Sequence, residues 1–301
     1  MSGKRGKIEM LLICGTIPQD NPALLTGEAI FDEGKLFVQG LEIPCTQGTA
    51  ALVSAACATA RQSGGKNPHV VLAGDTGHGR GSRLLYDDLI GHLADRSPDI
   101  LLMHYILPVM GLMRKVCGAA ARCKKMPVMI ADASSMYAAK AAGLAPTFDI
   151  FTPDACELAF LADPDAVHPA YISHHLFGAE TAQVPELVAA AYRQKSASKM
   201  LIVKGSTDYV VENGKITFTV SEPDLPALEA IGGTGDTISG MVGAMIDAGL
   251  PHGDAAVAAL KANRLAGQIA KVTPATKIRR MVEVLPEALK NVLSFKRKDG
   301  I

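Results

Sequence analysis

The chain has 301 residues, 48% of them hydrophobic and 20% charged, and its 30 basic and 30 acidic side chains leave no formal net charge. That length and apolar content suffice for a full globular core. The balanced charge, interrupted only by the short Lys296-Arg-Lys298 tail, argues against nucleic acid as a partner. The six cysteines form no Cys-x-x-Cys pair and the eight histidines no zinc spacing, so free thiols in a reducing compartment are expected. After the basic Met1 to Lys7 start, only Met10 to Cys14 is apolar, too short for a signal-peptide core or a membrane span. A cytoplasmic protein with no membrane partner is expected.

In chain order, Ile8 to Cys14 reads as a first strand ending at Gly15, and Ala29 to Val38 as a hairpin around Glu33-Gly34. Thr49 to Gln62 is Ala-rich with helical periodicity. His69 to Ala73 is a buried-type strand running into the glycine-rich segment Gly74 to Arg83, and a helix covers Leu84 to Leu93. Asp99 to Met103 and Pro127 to Ala131 are further strands, the first followed by an Ala-rich helix and the second by a helix over Ser135 to Ala142. Phe148 to Phe151 enters Thr152-Pro-Asp-Ala-Cys-Glu157, and Asp163 to Pro185, with His168, His174 and His175, is the least regular stretch. Pro185 to Lys195 is helical, and Lys199 to Val203 is a strand ending in Lys204-Gly205. Tyr209 to Val211 and Lys215 to Val220 flank the hairpin turn Asn213-Gly214. A glycine loop and helices complete the chain.

Apolar strands of four to six residues alternating with helices predict an α/β fold: a mostly parallel, doubly wound sheet in a three-layer α/β/α arrangement. One domain over residues 1–301 is expected, with a small hairpin flap near 29–38 and an irregular insertion at 163–185. Ligands in such sheets bind beyond the carboxyl ends of the strands, and Gly74, Asp132, Thr152 and Lys204 all fall at such ends.

The stretch Ala230-Ile-Gly-Gly-Thr-Gly-Asp-Thr-Ile-Ser-Gly240 sets three glycines and an acid ahead of a small-residue helix over Thr237 to Leu250. Backbone N–H groups at a helix start suit a phosphate. Asp236 would repel that anion, unless it takes a proton from a nucleophile while the N–H groups steady the phosphoryl group; the alternative is a simple helix cap. Asp154 and Glu157 could hold Mg²⁺ or its waters, or close a capping box. Lys204 with Gly205, Ser206 and Thr207 could meet phosphate oxygens or form an ordinary turn. In Gly74 to Arg83, the residues Gly74, Asp75, Gly77, Arg80 and Arg83 could form a substrate-side anion nest or a tight connection. Asp132 could touch substrate or cap the next helix, and Gln39, Thr46 and Gln47 could line the substrate mouth.

Taken together, Thr152-Pro-Asp-Ala-Cys-Glu-Leu158, Val203-Lys-Gly-Ser-Thr207 and Gly232-Gly-Thr-Gly-Asp-Thr-Ile-Ser-Gly240 resemble the ribokinase-like superfamily of phosphotransferases. Within it the chain is most similar to the ADP- or ATP-dependent NAD(P)H-hydrate dehydratases, over about Pro127 to Ala270. The resemblance implies Asp236 as the base and Gly233, Thr234 and Gly235 as the anion hole. It also implies Asp154 and Glu157 organising Mg²⁺, with Lys204, Gly205, Ser206 and Asn263 bordering an ADP or ATP donor. A homo-oligomer is a further expectation of the resemblance.

Two departures stand out. Asp154 and Cys156 occupy positions where the dehydratases carry His and Gly. His104-Tyr-Ile-Leu-Pro108 stands where they carry a Gly-Pro-Gly substrate turn. The rival readings are therefore a kinase for a small alcohol and, outside enzymes, a nucleotide-binding sensor or scaffold.

Overall fold

The computed structural model describes residues 10–20, 23–166 and 183–298. Eleven strands form one continuous sheet whose spatial order is β11-β10-β9-β8-β7-β6-β1-β5-β2-β3-β4. The centre is parallel: β1 (Leu11–Ile17) lies between β5 (His69–Gly74) and β6 (Ile100–His104), followed outward by β7 (Val128–Ala131), β8 (Ile150–Phe151) and β9 (Met200–Val203). These strands are buried on both faces, which is why they read as uninterrupted apolar runs.

Antiparallel strands finish both edges. On one side β2 (Leu24–Asp32) pairs with β5 and continues into β3 (Lys35–Val38) and β4 (Leu41–Ile43). On the other, β10 (Asp208–Glu212) and β11 (Lys215–Val220) follow β9. Both expected hairpin turns form with two consecutive positive φ values, 46° and 74° at Glu33-Gly34 and 49° and 85° at Asn213-Gly214. That conformation matches strand twist and explains the glycine in each turn. The anticipated flap is the middle of a longer antiparallel extension of the main sheet.

Two helical layers sandwich the sheet. Along β1, Leu11 and Ile13 join the cluster under α1 (Gly48–Ser63), α7 (Thr234–Asp247), α8 (His252–Ala270) and α9 (Ile278–Lys298). Leu12 and Cys14 point the other way, toward α2 (Arg80–Arg96), α3 (Met110–Ala120), α4 (Ser134–Ala141), α5 (Ala155–Ala162) and α6 (Val184–Arg193). This is the period-two alternation of a strand buried on both sides.

Close helix packing accounts for one glycine of the loop motif. A Cβ on Gly240 would lie 2.1 Å from the Leu52 carbonyl oxygen, so α7 can approach α1 only without a side chain there. The six cysteines are free. Among the described residues no helix is long and apolar enough to cross a membrane. His168, His174 and His175 lie outside the described residues, as does most of the 163–185 stretch.

Candidate active site

Three strand-to-helix junctions, after β6, β7 and β8, and the β9–β10 turn converge beyond the carboxyl ends of β6, β7, β8 and β9. They face the start of α7 across a cavity of about 540 Å³. Gly233 caps α7 with φ 101°, a left-handed conformation natural only to glycine. The first intrahelical bond runs from Thr237 N–H to the Gly233 carbonyl. The Gly235 and Asp236 N–H groups therefore stand at the open, positive end of the helix. Gly233, Thr234, Gly235 and Asp236 all line the cavity.

Asp236 sits inside the first turn of α7, whose N-cap is Gly233. Its Oδ2 accepts the Gly48 N–H at 2.8 Å, at the start of α1, and its Oδ1 meets His104 Nε2 at 3.1 Å. Two helix N-termini thus converge on one carboxylate. Burial pushes this group up, but the His104 hydrogen bond, the Lys204 ammonium and the Gly48 N–H more than offset it, so its pKa falls below the usual carboxylate range. A carboxylate held ionised beside unpaired N–H groups can accept a proton from a hydroxyl brought against it.

Lys204 follows β9, and its N–H bonds the Pro153 carbonyl at 2.8 Å, which seats it next to Asp154. Its Nζ lies 3.0 and 3.2 Å from the two oxygens of Asp132 at the end of β7. Burial alone would lower the lysine pKa; Asp132, Glu157 and Asp236 reverse that and hold it raised. Asp132 is fully engaged, for it also accepts from Ser239 Oγ at 2.6 Å and from the Ala133 N–H at 2.8 Å. Ser239 in turn meets Thr152 Oγ1 at 2.9 Å. The turn after Lys204 is tied down by Arg264, whose guanidinium donates to the Gly205 and Ser206 carbonyls and pairs with buried Asp208 at 2.8 Å. Gly205, Ser206 and Asn263 line the cavity, whereas Thr207 is not among its lining residues; Asn263 accepts the Thr237 hydroxyl at 2.9 Å.

Asp154 and Glu157 form the capping box of α5, with bonds of 2.7 and 2.9 Å, and both line the cavity. Burial and the neighbouring Asp154 charge push Glu157 up to about 8. A bound cation would favour the charged form of Glu157 and relieve its repulsion from Asp154. The pair's hard oxygen donors fit Mg²⁺, so capping and metal holding are compatible here. A second grouping, His104, Asp132 and Asp236, has candidate ligand atoms within 4.8 Å of one another. There the ammonium of Lys204 already supplies the cation.

For the Gly74 to Arg83 segment the geometry favours the tight connection over the substrate-side anion nest. Helix α2 begins at Arg80, so Arg80 and Arg83 belong to its first turn. Asp75 closes the segment on itself: Oδ1 accepts from the Gly77 and Gly79 N–H groups, and Oδ2 from the Ser82 N–H and hydroxyl, at 2.9–3.1 Å. Gly74, Asp75 and Arg80 line a separate hollow of about 480 Å³, while Gly77 and Arg83 line neither space. Gln47 packs behind the glycine loop, Thr46 and Gln47 border a third hollow, and Gln39 donates to the Thr26 carbonyl.

Two residues met in the sequence only as a departure from the family's substrate turn complete the site. His104 is wholly buried, and Tyr105, with φ 51°, turns its ring into the cavity edge-on to His104 at 4.3 Å. A bulky side chain at positive φ is an outlier that folded structure must hold in place.

The family model described as NAD(P)H-hydrate dehydratase matches residues 111–287, which span Asp132, Asp154, Glu157, Lys204 and Asp236. An uncharacterized protein of Methanocaldococcus jannaschii is 39% identical over 228 residues, covering 76% of this chain and 94% of that protein. The chain belongs to the NAD(P)H-hydrate dehydratase family. Solved structures carry the same ribokinase-like fold. One is a Bacillus subtilis ADP/ATP-dependent NAD(P)H-hydrate dehydratase co-crystallised with ATP and Mg²⁺ (14% identity, 96% and 94% coverage of the two chains, TM-score 0.57). Another is a ribokinase-like superfamily protein of Enterococcus faecalis (16% identity, 97% and 91% coverage, TM-score 0.54). The family match reaches from α3 into α9, so every motif that carried the resemblance falls inside it. His104 and Tyr105 precede it, at the place where the resemblance sets a Gly-Pro-Gly substrate turn.

Proposed function

We propose that this enzyme transfers the terminal phosphoryl group of ADP or ATP to the hydroxyl of a small molecule, with Asp236 as general base. The observation that carries this reading is the Asp236 carboxylate. It is held ionised by His104 and Gly48, within the first turn of a helix whose open N–H groups face the same cavity as Lys204. The acceptor oxygen attacks the terminal phosphorus, the bond to the nucleotide's bridging oxygen breaks, and the hydroxyl proton passes to Asp236. The N–H groups of Gly235 and Asp236 receive the developing charge. Lys204, Gly205 and Ser206 border the nucleotide, and Asn263 stands near its far end. Asp154 and Glu157 would hold Mg²⁺, which supplies charge neutralisation between phosphate oxygens when bound.

Within the family the favoured outcome is dehydration: the phosphate, once on the hydrate's hydroxyl, leaves by elimination and restores NAD(P)H. The kinase outcome draws support from one feature, Asp154 and Cys156 standing where the family carries His and Gly, which leaves an Asp154-x-x-Glu157 box. Incubation with NAD(P)H hydrate, ATP or ADP and Mg²⁺ separates the two. Recovery of absorbance at 340 nm supports dehydration. A stable phosphorylated alcohol formed from another acceptor supports the kinase. Nucleotide turnover with neither acceptor class, or none at all, contradicts both.

A further inference from the structure

The proposed base does not stand alone. Behind Asp236 runs a buried chain from α1 through β6 to α7: Thr49 Oγ1 lies 2.9 Å from His104 Nδ1, and His104 Nε2 lies 3.1 Å from Asp236 Oδ1. An ionised carboxylate only accepts, so the Nε2 proton faces Asp236, and in the neutral ring Nδ1 then accepts from the Thr49 hydroxyl. His104 and Thr49 are both essentially inaccessible to water. Room for them is made by β1: a Cβ on Gly15 would fall 2.7 Å from the His104 carbonyl oxygen and 2.7 and 2.9 Å from Thr49 side-chain atoms. A glycine at the middle of a central strand, where β-branched residues pack best, is thereby explained by the approach of this pair.

Resting on the reading of Asp236 as base, we infer that His104 is a positioning residue for catalysis, oriented by Thr49, which fixes the rotamer and ionisation of Asp236. Asp236 is restrained from two directions, by the Gly48 N–H on Oδ2 and by His104 on Oδ1. That arrangement leaves the remaining lone pairs for an acceptor hydroxyl in the cavity. The other charged or titratable groups around the pair are Asp132 at the end of β7, whose Oδ2 is 3.8 Å from Nε2, Lys204 after β9, Glu157 on α5 and the Tyr105 phenol after β6. Asp132 is committed to Lys204 and Ser239. Asp236 is therefore the carboxylate that His104 serves.

The test compares His104→Leu, His104→Gln and Thr49→Val with the unmodified enzyme and with Asp236→Asn, reading kcat, KM and the pH profile of kcat/KM. Loss of the Nε2 donor removes a hydrogen bond to the charged form, so the acid limb should move to higher pH. His104→Leu should also lower kcat roughly tenfold or more, with the nucleotide KM little changed. His104→Gln, which can present an amide N–H in a similar place, should restore most of the rate. Thr49→Val, close to isosteric, keeps the test available if His104→Leu does not fold, and should shift the limb the same way by less. Wild-type kcat and an unmoved acid limb in His104→Leu or, failing its folding, Thr49→Val would overturn the inference. So would a lower kcat with the limb unmoved and no rescue by Gln. In both cases a dead Asp236→Asn enzyme would leave the base assignment standing. A fully active Asp236→Asn enzyme would instead remove the reading on which this inference rests.

Discussion

Lys204 Nζ lies 3.0 Å from Asp132 Oδ1, and the two form a nearly inaccessible ion pair at the ends of β9 and β7. Breaking such a pair from one side leaves a buried charge unmatched, which costs about 3–5 kcal/mol, more than the pair itself contributes. Lys204→Met should therefore lower unfolding free energy by about that amount, and Asp132→Asn in the same chain should recover part of it. Denaturant unfolding of the two single variants and the double variant measures the coupling. Strict additivity would mean that the pair is not coupled in solution.

The Arg264 guanidinium offers a second buried pair with a distinct readout. It holds Asp208 and, through the Gly205 and Ser206 carbonyls, the turn that borders the cavity. Arg264→Leu should cost about 3–5 kcal/mol in stability. At temperatures where the variant stays folded, nucleotide affinity should also fall, measured by calorimetric titration. Unchanged affinity would show that the turn keeps its shape without the guanidinium.

Gly240 tests packing alone. Because a Cβ there would meet the Leu52 carbonyl at 2.1 Å, Gly240→Ala must push α7 away from α1. Overpacking of this kind costs about 1–3 kcal/mol or more, readable as a lower Tm. A neutral substitution would mean that the two helices sit farther apart than described.

Asp154 and Glu157 make a prediction about metal. If their clustered charge awaits a cation, Mg²⁺ alone should raise the Tm of the nucleotide-free protein, and Glu157→Gln should reduce that rise. An equal rise in both proteins would place the ion elsewhere.

Much of the fold was legible because the central strands are buried on both faces and separated by small-residue helices. The boundaries of β6, β7 and β9 differ from those expected by about one residue. The start of α2 was hidden, since Gly79 and Gly81 mask a helix that Asp75 organises from outside through backbone N–H groups. β4, only three residues long, carries too little pattern to register. In the site, Asp236, Lys204 and Glu157 came forward because each lies at a strand end or helix start, and the fold sets all three along one cavity. His104 was not. A single histidine after an apolar strand has no spacing signal, and only the fold brings it against an aspartate 132 positions away. The nearest hint was its place at the family's substrate turn, while Gly15, read as the end of the first strand, lies inside that strand. In the Gly74 to Arg83 segment, where an anion nest and a tight connection were both open, the Gly77 and Gly79 N–H groups serve a carboxylate within the same loop.

The central claim is that Asp236 takes the proton from the acceptor hydroxyl. It is tested most directly by single-turnover phosphoryl transfer with Asp236→Asn, which keeps the side-chain shape while removing the base. The account predicts that nucleotide still binds and that the rate falls by roughly a hundredfold or more. A rate within a few-fold of the unmodified enzyme, with nucleotide bound equally well, would contradict it.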